Sequence, residues 1–450
     1  MAADTIVARA TPPGRGGVAI VRLSGPATAA ITAQIAGAVP PARQSVLRTF
    51  RDSADEVIDS GLLLFFAAPN SFTGEDVAEF QCHGSPVVVD MLLSRATRLG
   101  ARLAEPGEFS QRAFLNDRLD LAQAEAIADL IDATSTQAAR AAHRMLQGDF
   151  SSRIHSLVKE LIELRVFIEA ALDFPDEEVD FLADKRVIQQ LDTLEISIAD
   201  LLDSAQQGQL LRDGIRAVIS GPANVGKSTL LNALVGQQRA IVTDIAGTTR
   251  DLLHESLLID GLPVEIIDTA GLRVSDDPVE QAGIALAEQA IGDADLLLVV
   301  SEEGASSASL APVQDLVHQL PKKLRQISII NKIDIEHHPA KVVRDGENVQ
   351  VYLSAKTGEG LDLLRAEIAA AAGFRPEEEG LVIARRRHLD ALLKASQAAS
   401  AGRGALRNYG AGELLAEELR NAQQALGEIT GEVTSDDLLG KIFSSFCIGK

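Results

Sequence analysis

Short apolar runs alternate with helical stretches over the first 118 residues of the chain. Four runs predict β-strands because they are short, rich in branched or aromatic side chains and bounded by turn residues. They cover residues 5–11, 17–23, 62–66 and 77–81. Apolar positions at helical spacing predict helices over residues 26–36 and 86–99. Residues 1–118 are therefore predicted to form an α+β domain.

From residue 119 the pattern becomes that of long helices. Side chains such as Ile154, Leu157 and Leu161 recur on one helix face, which is typical of packing between helices. Proline-free stretches rich in Ala, Leu and Ile predict helices over residues 119–145, 151–172 and 185–205. Residues 208–214 are predicted to lead from the last helix into a strand.

A second helical stretch begins at Arg385, and an α/β pattern over residues 213–373 separates it from the first. The simplest prediction is one all-α domain, made of residues 119–212 and 374–450, with an α/β domain inserted into it. Two separate helical bundles are the alternative.

Composition excludes several classes of protein. The 450 residues are 46% hydrophobic and 24% charged, as in ordinary globular proteins, and the formal net charge of −22 argues against non-specific nucleic-acid binding. Two cysteines do not make a disulfide framework, the N-terminus does not resemble a secretory signal, and no apolar run is long enough to span a bilayer. We expect a cytoplasmic protein that does not enter membranes.

Residues 221–228 spell G-x-x-x-x-G-K-S between a predicted strand and a predicted helix. This is the context of a phosphate-binding loop, in which backbone N–H groups and the helix N-terminus face phosphate oxygens. Lys227 is expected to reach the β- and γ-phosphates, and the hydroxyl of Ser228 to bind Mg²⁺.

Further motifs, each after a predicted strand, specify guanine. Asp268 begins a D-T-A-G motif and is expected to hold a Mg²⁺-bound water. Asp334 ends an N-K-x-D motif, and its carboxylate can accept hydrogen bonds from N1–H and the amine of guanine, which adenine lacks. The residues expected to contact GTP are Asn224, Val225, Gly226, Lys227, Ser228, Thr229, Thr243, Asp244, Ile245, Ala246, Gly247, Thr248, Thr249, Asp268, Thr269, Ala270, Gly271, Asn331, Lys332, Asp334, Ser354, Ala355 and Lys356.

Leu272 stands where Ras-like enzymes carry the Gln that orients the attacking water. Leucine cannot do this. One interpretation is that Asn224 and backbone carbonyls of residues 243–245 hold a monovalent cation beside the phosphates. A slow switch activated by a partner is the alternative.

Several motifs together resemble the MnmE (TrmE) family of tRNA-modification GTPases. They are P-P-G-R-G-G at residues 12–17, N-S-F-T-G-E-D at 70–76, P-G-E-F at 106–109, D-L-A-Q-A-E-A at 120–126, D-I-A-G-T-T-R-D at 244–251 and F-C-I-G-K at 446–450. The resemblance spans the whole chain.

That resemblance implies a multidomain fold: an N-terminal domain for formyl-tetrahydrofolate binding and dimerisation, a helical domain, and an inserted Ras-like P-loop GTPase domain. It implies a homodimer that works with the FAD-containing flavoprotein MnmG, as a heterotetramer, on tRNA. The reaction installs a carboxymethylaminomethyl group at carbon 5 of the wobble uridine, with a 5-formyl- or methylene-tetrahydrofolate. K⁺ activates GTP hydrolysis, during which two G domains associate.

The resemblance also assigns residues. Catalysis falls on Glu280 with Lys227 and Asp268. Mg²⁺ falls on Ser228 and Thr249, and K⁺ on Asn224, Thr243, Ile245 and Thr248. Folate contacts fall on Arg22, Glu79, Arg118 and Lys450, where Arg118 replaces the usual Lys of the family.

Two features have competing interpretations. Cys447 is either a small buried apolar residue, the commoner case, or part of the folate and tRNA site. Residues 385–387 are a candidate tRNA contact, but a solvated helix face or ion pairs with Glu377, Glu378 and Glu379 are favoured. For the whole protein, the alternative function is a regulatory or assembly GTPase without tRNA-modifying chemistry.

Overall fold

We analysed a computed structural model of the chain. It describes residues 4–173, 185–236, 254–268, 292–304, 324–346, 348–375, 380–433 and 436–449. Contacts divide the chain into two compact units. The first comprises residues 1–128, 146–165 and 419–450, and the second comprises residues 129–145 and 166–418.

The N-terminal part of the first unit is built on a six-stranded sheet in the order β3-β4-β5-β2-β1-β6. The strands are β1 Ile6–Arg9, β2 Gly16–Ser24, β3 Val46–Arg51, β4 Val57–Phe66, β5 Val77–Gly84 and β6 Arg102–Leu103. The helices are α1 Thr28–Ala36, α2 Pro86–Arg98 and α3 Glu108–Leu115. The α+β prediction is confirmed, although β3 and β6 were not predicted.

One face of this sheet is covered by helices, and the opposite face is exposed at β3 and β4. Val21, Phe50 and Phe80 point into a core with α1 and α2, where the two phenylalanine rings pack edge to face with centroids 5.3 Å apart. On the opposite face, Leu47 and Leu62 are directly paired across β3 and β4 and are 69% and 42% exposed. Strand alternation thus places an apolar row on an open sheet face.

Helices follow the N-terminal domain, as predicted. They are α4 Leu121–Ile131, α5 Thr136–Leu146, α6 Asp149–Asp173 and α7 Lys185–Asp213. The predicted helical stretch 119–145 is in fact two helices, because it is broken at residues 132–135, where Ser135 Oγ accepts the N–H of Ala138 and so caps the start of α5.

The prediction that residues 208–214 form a lead-in to a strand is wrong for most of that segment, since α7 continues to Asp213. Gly208 lies in the helix interior, where glycine normally weakens a helix. A Cβ there would lie 1.7 Å from the carbonyl oxygen of Val382. Glycine is needed at this position because the chain returning from the inserted domain packs directly on the helix.

The inserted domain has a seven-stranded sheet in the order β12-β13-β11-β10-β7-β9-β8. The strands are β7 Ile215–Ser220, β8 His254–Ile259, β9 Leu262–Asp268, β10 Leu296–Glu302, β11 Arg325–Asn331, β12 Lys341–Asp345 and β13 Asn348–Tyr352. Strands β13, β11, β10, β7 and β9 are parallel. The described helices are α8 Lys227–Val235, α9 Ile333–Glu336 and α10 Leu361–Ala372.

The chain then returns to helices, namely α11 Arg386–Tyr409, α12 Gly412–Thr430 and α13 Asp436–Ser444. In the second unit, α11 packs along α7. In the first unit, Leu439, Ile442 and Phe443 of α13 share an apolar cluster with Leu121 and Ala124 of α4. Helices before and after the insertion therefore pack together within each unit. No helix in the described ranges is long and apolar enough to cross a bilayer.

Candidate nucleotide-binding site

The parallel strands bring the predicted nucleotide motifs to one edge of the sheet. The loops after β7, β11 and β13 contain the phosphate loop, the N-K-x-D motif and the S-A-K motif, respectively. Ligands of open α/β sheets bind at the carboxyl ends of the strands, where order reverses. Here β7 lies between β10 and β9, so the phosphate loop emerges at such a reversal.

Two glycines shape the phosphate loop. Gly221 has a φ of 149°, and a Cβ on it would lie 2.1 Å from the carbonyl oxygen of Val300 in the neighbouring strand. Gly226 has a φ of 95°, and its Cβ would lie 2.4 Å from Nδ2 of Asn331. Both positions therefore require glycine on grounds of space as well as conformation.

Lys227 opens α8 and folds back over the loop. Its Nζ donates to the carbonyl oxygens of Gly221 at 2.8 Å and Pro222 at 2.6 Å, and the residue is 8% exposed. Ser228 and Thr229 are exposed in the first turn of α8, while Val225 is buried beneath the loop. The ammonium group and the helix N-terminus together make this turn a binding site for phosphate.

Asn331 joins the phosphate loop to the S-A-K loop. Its Nδ2 donates to the carbonyl oxygen of Val225 at 2.8 Å, and its Oδ1 accepts the N–H of Ala355 at 2.9 Å. The side chain is buried, with the residue 4% exposed. Because each end of the amide has a partner on a different loop, this one residue links the phosphate loop to the S-A-K loop.

Lys332 adds a second link to the phosphate loop. Its backbone is left-handed, with a φ of 70°, and its Nζ donates to the carbonyl oxygen of Asn224 at 2.8 Å. Glu302, at the end of β10, forms an ion pair with the same ammonium group. Glu302 was not predicted, although its position after a buried strand of the same sheet could have indicated it.

Asp334, the residue predicted to recognise the base, is held by Ser354. The Ser354 hydroxyl donates to Oδ1 of Asp334 at 2.6 Å, and this hydrogen bond lowers the pKa of the carboxyl group below its usual range. Asp334 therefore stays ionised and keeps its acceptor lone pairs near neutral pH. Lys356 is exposed beside it, next to the buried Ala355.

Several predicted residues lie outside the described part of the chain. These are Thr243, Asp244, Ile245, Ala246, Gly247, Thr248, Thr249, Thr269, Ala270, Gly271, Leu272, Glu280 and Lys450. The side chain of Asp268 also lies outside it, but its backbone pairs with Ile219 at the end of β9, beside the phosphate-loop strand.

A second cluster of predicted residues lies in the N-terminal domain. Arg22 and Glu79 occupy directly paired positions on β2 and β5 and form an ion pair of 2.9 Å. The Arg22 guanidinium lies 5.8 Å from the ring centroid of Phe72 and 5.6 Å from that of Phe109. The structure thus brings together two residues predicted on different strands.

The C-terminal tail reaches this ion pair. Ile448 forms a bridge with Pro106, and the carbonyl oxygen of Gly449 accepts a hydrogen bond of 3.3 Å from Arg22. Cys447 is exposed, so its interpretation as a buried apolar residue is wrong. The tail thus brings residues 22 and 449, far apart in sequence, into contact.

Arg118 lies over the loop that precedes β5. It is exposed, and a Cβ added to Gly74 would lie 3.2 Å from its Cγ, which shows how closely the stem packs on that loop. Gly74 has a left-handed φ of 77°, and this backbone conformation also favours glycine at the position.

A charge network beside this loop was not predicted. Arg112 pairs with Asp4, Glu75 and Glu108 at 2.5, 3.2 and 3.0 Å, and Arg102 pairs with Glu108 at 2.7 Å. Burial by itself raises the pKa of Glu108, but the hydrogen bonds from Arg102, the Glu105 N–H and Arg112 outweigh it and lower the pKa. Glu75 and Glu108 belong to the N-S-F-T-G-E-D and P-G-E-F motifs, and these motifs could have indicated both residues.

In the basic cluster at residues 385–387, Arg385 has a structural role. Arg385 donates to both carboxylate oxygens of Asp129, and its side chain is 15% exposed. The structure thus gives Arg385 a buried ion-pair partner that the sequence interpretation did not include.

The fold and the site define a P-loop GTPase. A family model described as the MnmE helical domain matches residues 121–447, and one described as the GTP-binding protein TrmE N-terminus matches residues 5–118. The tRNA modification GTPase MnmE of Stutzerimonas stutzeri is 55% identical over 453 residues, covering 100% of this chain and 99% of that protein. The Proteus mirabilis protein of the same name is 53% identical over 451 residues, covering 99% of each.

Among solved structures, the G domain of the T. maritima FeoB iron transporter aligns with 35% of this chain and 98% of its own, at 26% identity and a TM-score of 0.27. The family models and the full-length relatives carry the assignment. The chain belongs to the MnmE family of tRNA modification GTPases.

The geometry of Asp334 predicts a change of base preference in Asp334→Asn. Guanine offers two N–H donors to the carboxylate, whereas xanthine has a carbonyl in place of the amine and would accept from the new amide. We expect GDP to bind about tenfold or more weakly, since hydrogen bonds to charged groups contribute about 1.5–3 kcal/mol, and xanthosine diphosphate to bind more tightly.

Isothermal titration calorimetry with both nucleotides measures this. The control is Asp362→Asn, which changes an exposed carboxylate in the first turn of α10. Unchanged GDP affinity in Asp334→Asn would contradict the assignment of this carboxylate to the base.

Proposed function

We propose that this protein is a potassium-activated GTPase that acts with a flavoprotein of the MnmG type to install the carboxymethylaminomethyl group at carbon 5 of the wobble uridine of certain tRNAs. The observation that carries the proposal is identity of about half over the full length with tRNA modification GTPases. The link between the N-K-x-D and S-A-K motifs through Asn331 supports it. We place the protein in the cytoplasm, with domains at residues 1–118, 119–212, 213–373 and 374–450.

Lys227 would neutralise charge on the β- and γ-phosphates from its position over the loop. Glu280 would orient the attacking water, and Asp268 would support the metal-bound water. The Ser228 hydroxyl is a hard oxygen donor exposed at the start of α8, which fits Mg²⁺, and Thr249 would complete the set. A bound Mg²⁺ would offset phosphate charge.

Asn224 is the residue on which the potassium proposal depends. Its φ of 63° is left-handed, its carbonyl is held by Lys332, and its side chain is exposed on the phosphate loop. A side-chain amide oxygen held there is a suitable ligand for a monovalent cation, with carbonyls of Thr243, Ile245 and Thr248 as the others. K⁺ would supply positive charge without an arginine finger from a partner.

A folate would bind at Arg22 and Glu79, with Arg118 and Lys450 contributing. A carboxylate and a guanidinium side by side suit a ligand that has both ring N–H donors and carboxylate groups, as tetrahydrofolates have. The exposed Cys447 is two residues from Gly449, whose carbonyl oxygen accepts a hydrogen bond from Arg22. These features favour one-carbon chemistry over a purely regulatory GTPase.

The open face of the N-terminal sheet favours a homodimer. Leu47, Leu62, Gln81 and Ile20 are consecutive neighbours across four strands, and the adjacent row carries Glu79 and Arg22. A second copy covering the exposed leucines would also cover the edge of the folate site. Association of two protomers with two copies of the flavoprotein would give a heterotetramer.

The cation proposal predicts that GTP hydrolysis is about tenfold or more faster in K⁺ than in Na⁺, because removing one charge-stabilising group costs about 10²–10³ in rate. Asn224→Ala should lose this response while still binding GDP. Phosphate release measured at equal ionic strength in the two salts tests it.

Asn348→Ala is the matched control, since Asn348 is exposed on β13 of the same domain. It should keep the K⁺ response. Equal rates for the unmodified protein in both salts, or a retained response in Asn224→Ala, would overturn the cation proposal.

The tRNA proposal predicts that cells of the source organism lacking this protein lose the carboxymethylaminomethyl group from wobble uridine. Mass spectrometry of tRNA nucleosides measures the loss. Re-expression of Arg22→Ala should fail to restore the modification, because the charge that pairs with Glu79 is gone.

Arg51→Ala, which changes a solvent-facing ion pair with Asp55 in the same domain, should restore it. Unchanged modification in cells lacking the protein would favour the regulatory GTPase instead. Restoration of the modification by Arg22→Ala would contradict the proposal that folate binds at Arg22.

A further inference from the structure

A buried carboxylate lies where the inserted domain joins the helices. Asp129, in the last turn of α4, has a side chain that is 3% exposed. Its Oδ1 accepts from Nε of Arg212 at 2.9 Å and from a terminal nitrogen of Arg385 at 2.9 Å. Oδ2 accepts from Nε of Arg385 at 3.3 Å. One carboxylate thus binds two guanidinium groups.

The two arginines mark the two chain crossings of the insertion. Arg212 precedes β7 by three residues, and β7 leads straight into the phosphate loop. Arg385 is the residue immediately before α11, where the chain has returned from the inserted domain. Asp129 therefore holds the outgoing and the returning connection at the same point.

Described residues at both ends of the returning connection are also held by hydrogen bonds. Gln207 of α7 donates to the carbonyl oxygen of Gly373 at 2.8 Å and accepts the N–H of Arg375 at 2.9 Å. Arg144 of α5 donates to the carbonyl oxygen of Leu381 at 2.5 Å. The returning connection is therefore tied to α7 and α5, near the points where Arg212 and Arg385 bind Asp129.

The loss of an ion-pair partner from a buried carboxylate is unfavourable. Removing one member of a buried ion pair leaves an uncompensated charge and is strongly destabilising. If Arg212 and Arg385 move, Asp129 must therefore move with them. Otherwise the three side chains must adopt another arrangement in which their charges are still paired. α4, which carries Asp129, also carries Leu121 and Ala124, which pack on α13.

We propose that Asp129 is a positioning residue that couples the nucleotide state of the GTPase domain to helix α4, through its ion pairs with Arg212 and Arg385. Nucleotide-dependent movement at the phosphate loop reaches β7 and the returning segment, and the two arginines pass it to Asp129. The inference requires guanine-nucleotide binding, and it does not depend on the tRNA chemistry.

Hydrogen–deuterium exchange of the full-length protein tests this coupling. Peptides covering α4 are compared without nucleotide and with GDP, aluminium fluoride and K⁺. In the unmodified protein we expect the exchange rate of these peptides to change by about fivefold or more. This factor corresponds to the lower end of ordinary allosteric coupling free energies. Asp129→Asn should abolish the change while peptides of the phosphate loop still respond.

Arg385→Gln provides a second variant for the case in which Asp129→Asn fails to fold. It leaves Asp129 paired with Arg212, so the carboxylate keeps a partner, and the response of α4 should again be lost. The matched control is Asp192→Asn, which breaks the solvent-exposed pair of Asp192 with Arg403 between α7 and α11. It should retain the full response.

Two results would overturn the inference. One is the absence of any nucleotide-dependent change in α4 of the unmodified protein. The other is a retained change in Arg385→Gln, because the coupling would then pass elsewhere. Neither result bears on whether the protein modifies tRNA, which nucleoside analysis decides separately.

Discussion

The nucleotide site depends on the side-chain amide of Asn331. A buried amide has to satisfy both its donor and its acceptor, and the phosphate loop and the S-A-K loop provide the two partners. Neither loop has regular structure that would fix its distance from the other. Gly226 is required because Nδ2 of Asn331 occupies the space of a Cβ. Lys332, the next residue, then holds the carbonyl of Asn224, so the phosphate loop and the S-A-K loop are both joined to the end of one strand.

In the N-terminal domain a single side chain also joins several segments, but there it is a charged guanidinium group instead of an amide. Arg22 contacts Glu79, the carbonyl oxygen of Gly449 and the rings of Phe72 and Phe109, so a strand, the C-terminal tail, a loop and helix α3 converge on one guanidinium. Its planar fork of donors suits several partners at once. An open apolar row lies beside it. Both candidate sites are therefore assembled from loops and tails that single buried or half-buried polar groups hold together.

Much of the nucleotide site could be predicted from sequence because its chemistry is local. Gly221 to Ser228 specify a loop by spacing alone, and Asp334 follows a strand by three residues. The charge network of Arg112 could not be predicted, since its partners are residues 4, 75 and 108 and meet only in the folded domain. Asp129 had no signal in sequence for the same reason. The end of α7 was missed because Gly208 is a helix-weakening residue that tertiary packing retains.

If Asn331 holds the guanine-nucleotide site together, Asn331→Asp should bind GDP more weakly than the unmodified protein. The carboxylate cannot donate to the carbonyl of Val225, so a buried acceptor loses its partner at a cost of about 1–3 kcal/mol. Calorimetry should show GDP affinity reduced by about tenfold or more, while Asn348→Asp, at an exposed position of the same domain, binds as the unmodified protein does. Equal affinity in Asn331→Asp and the unmodified protein would contradict the account.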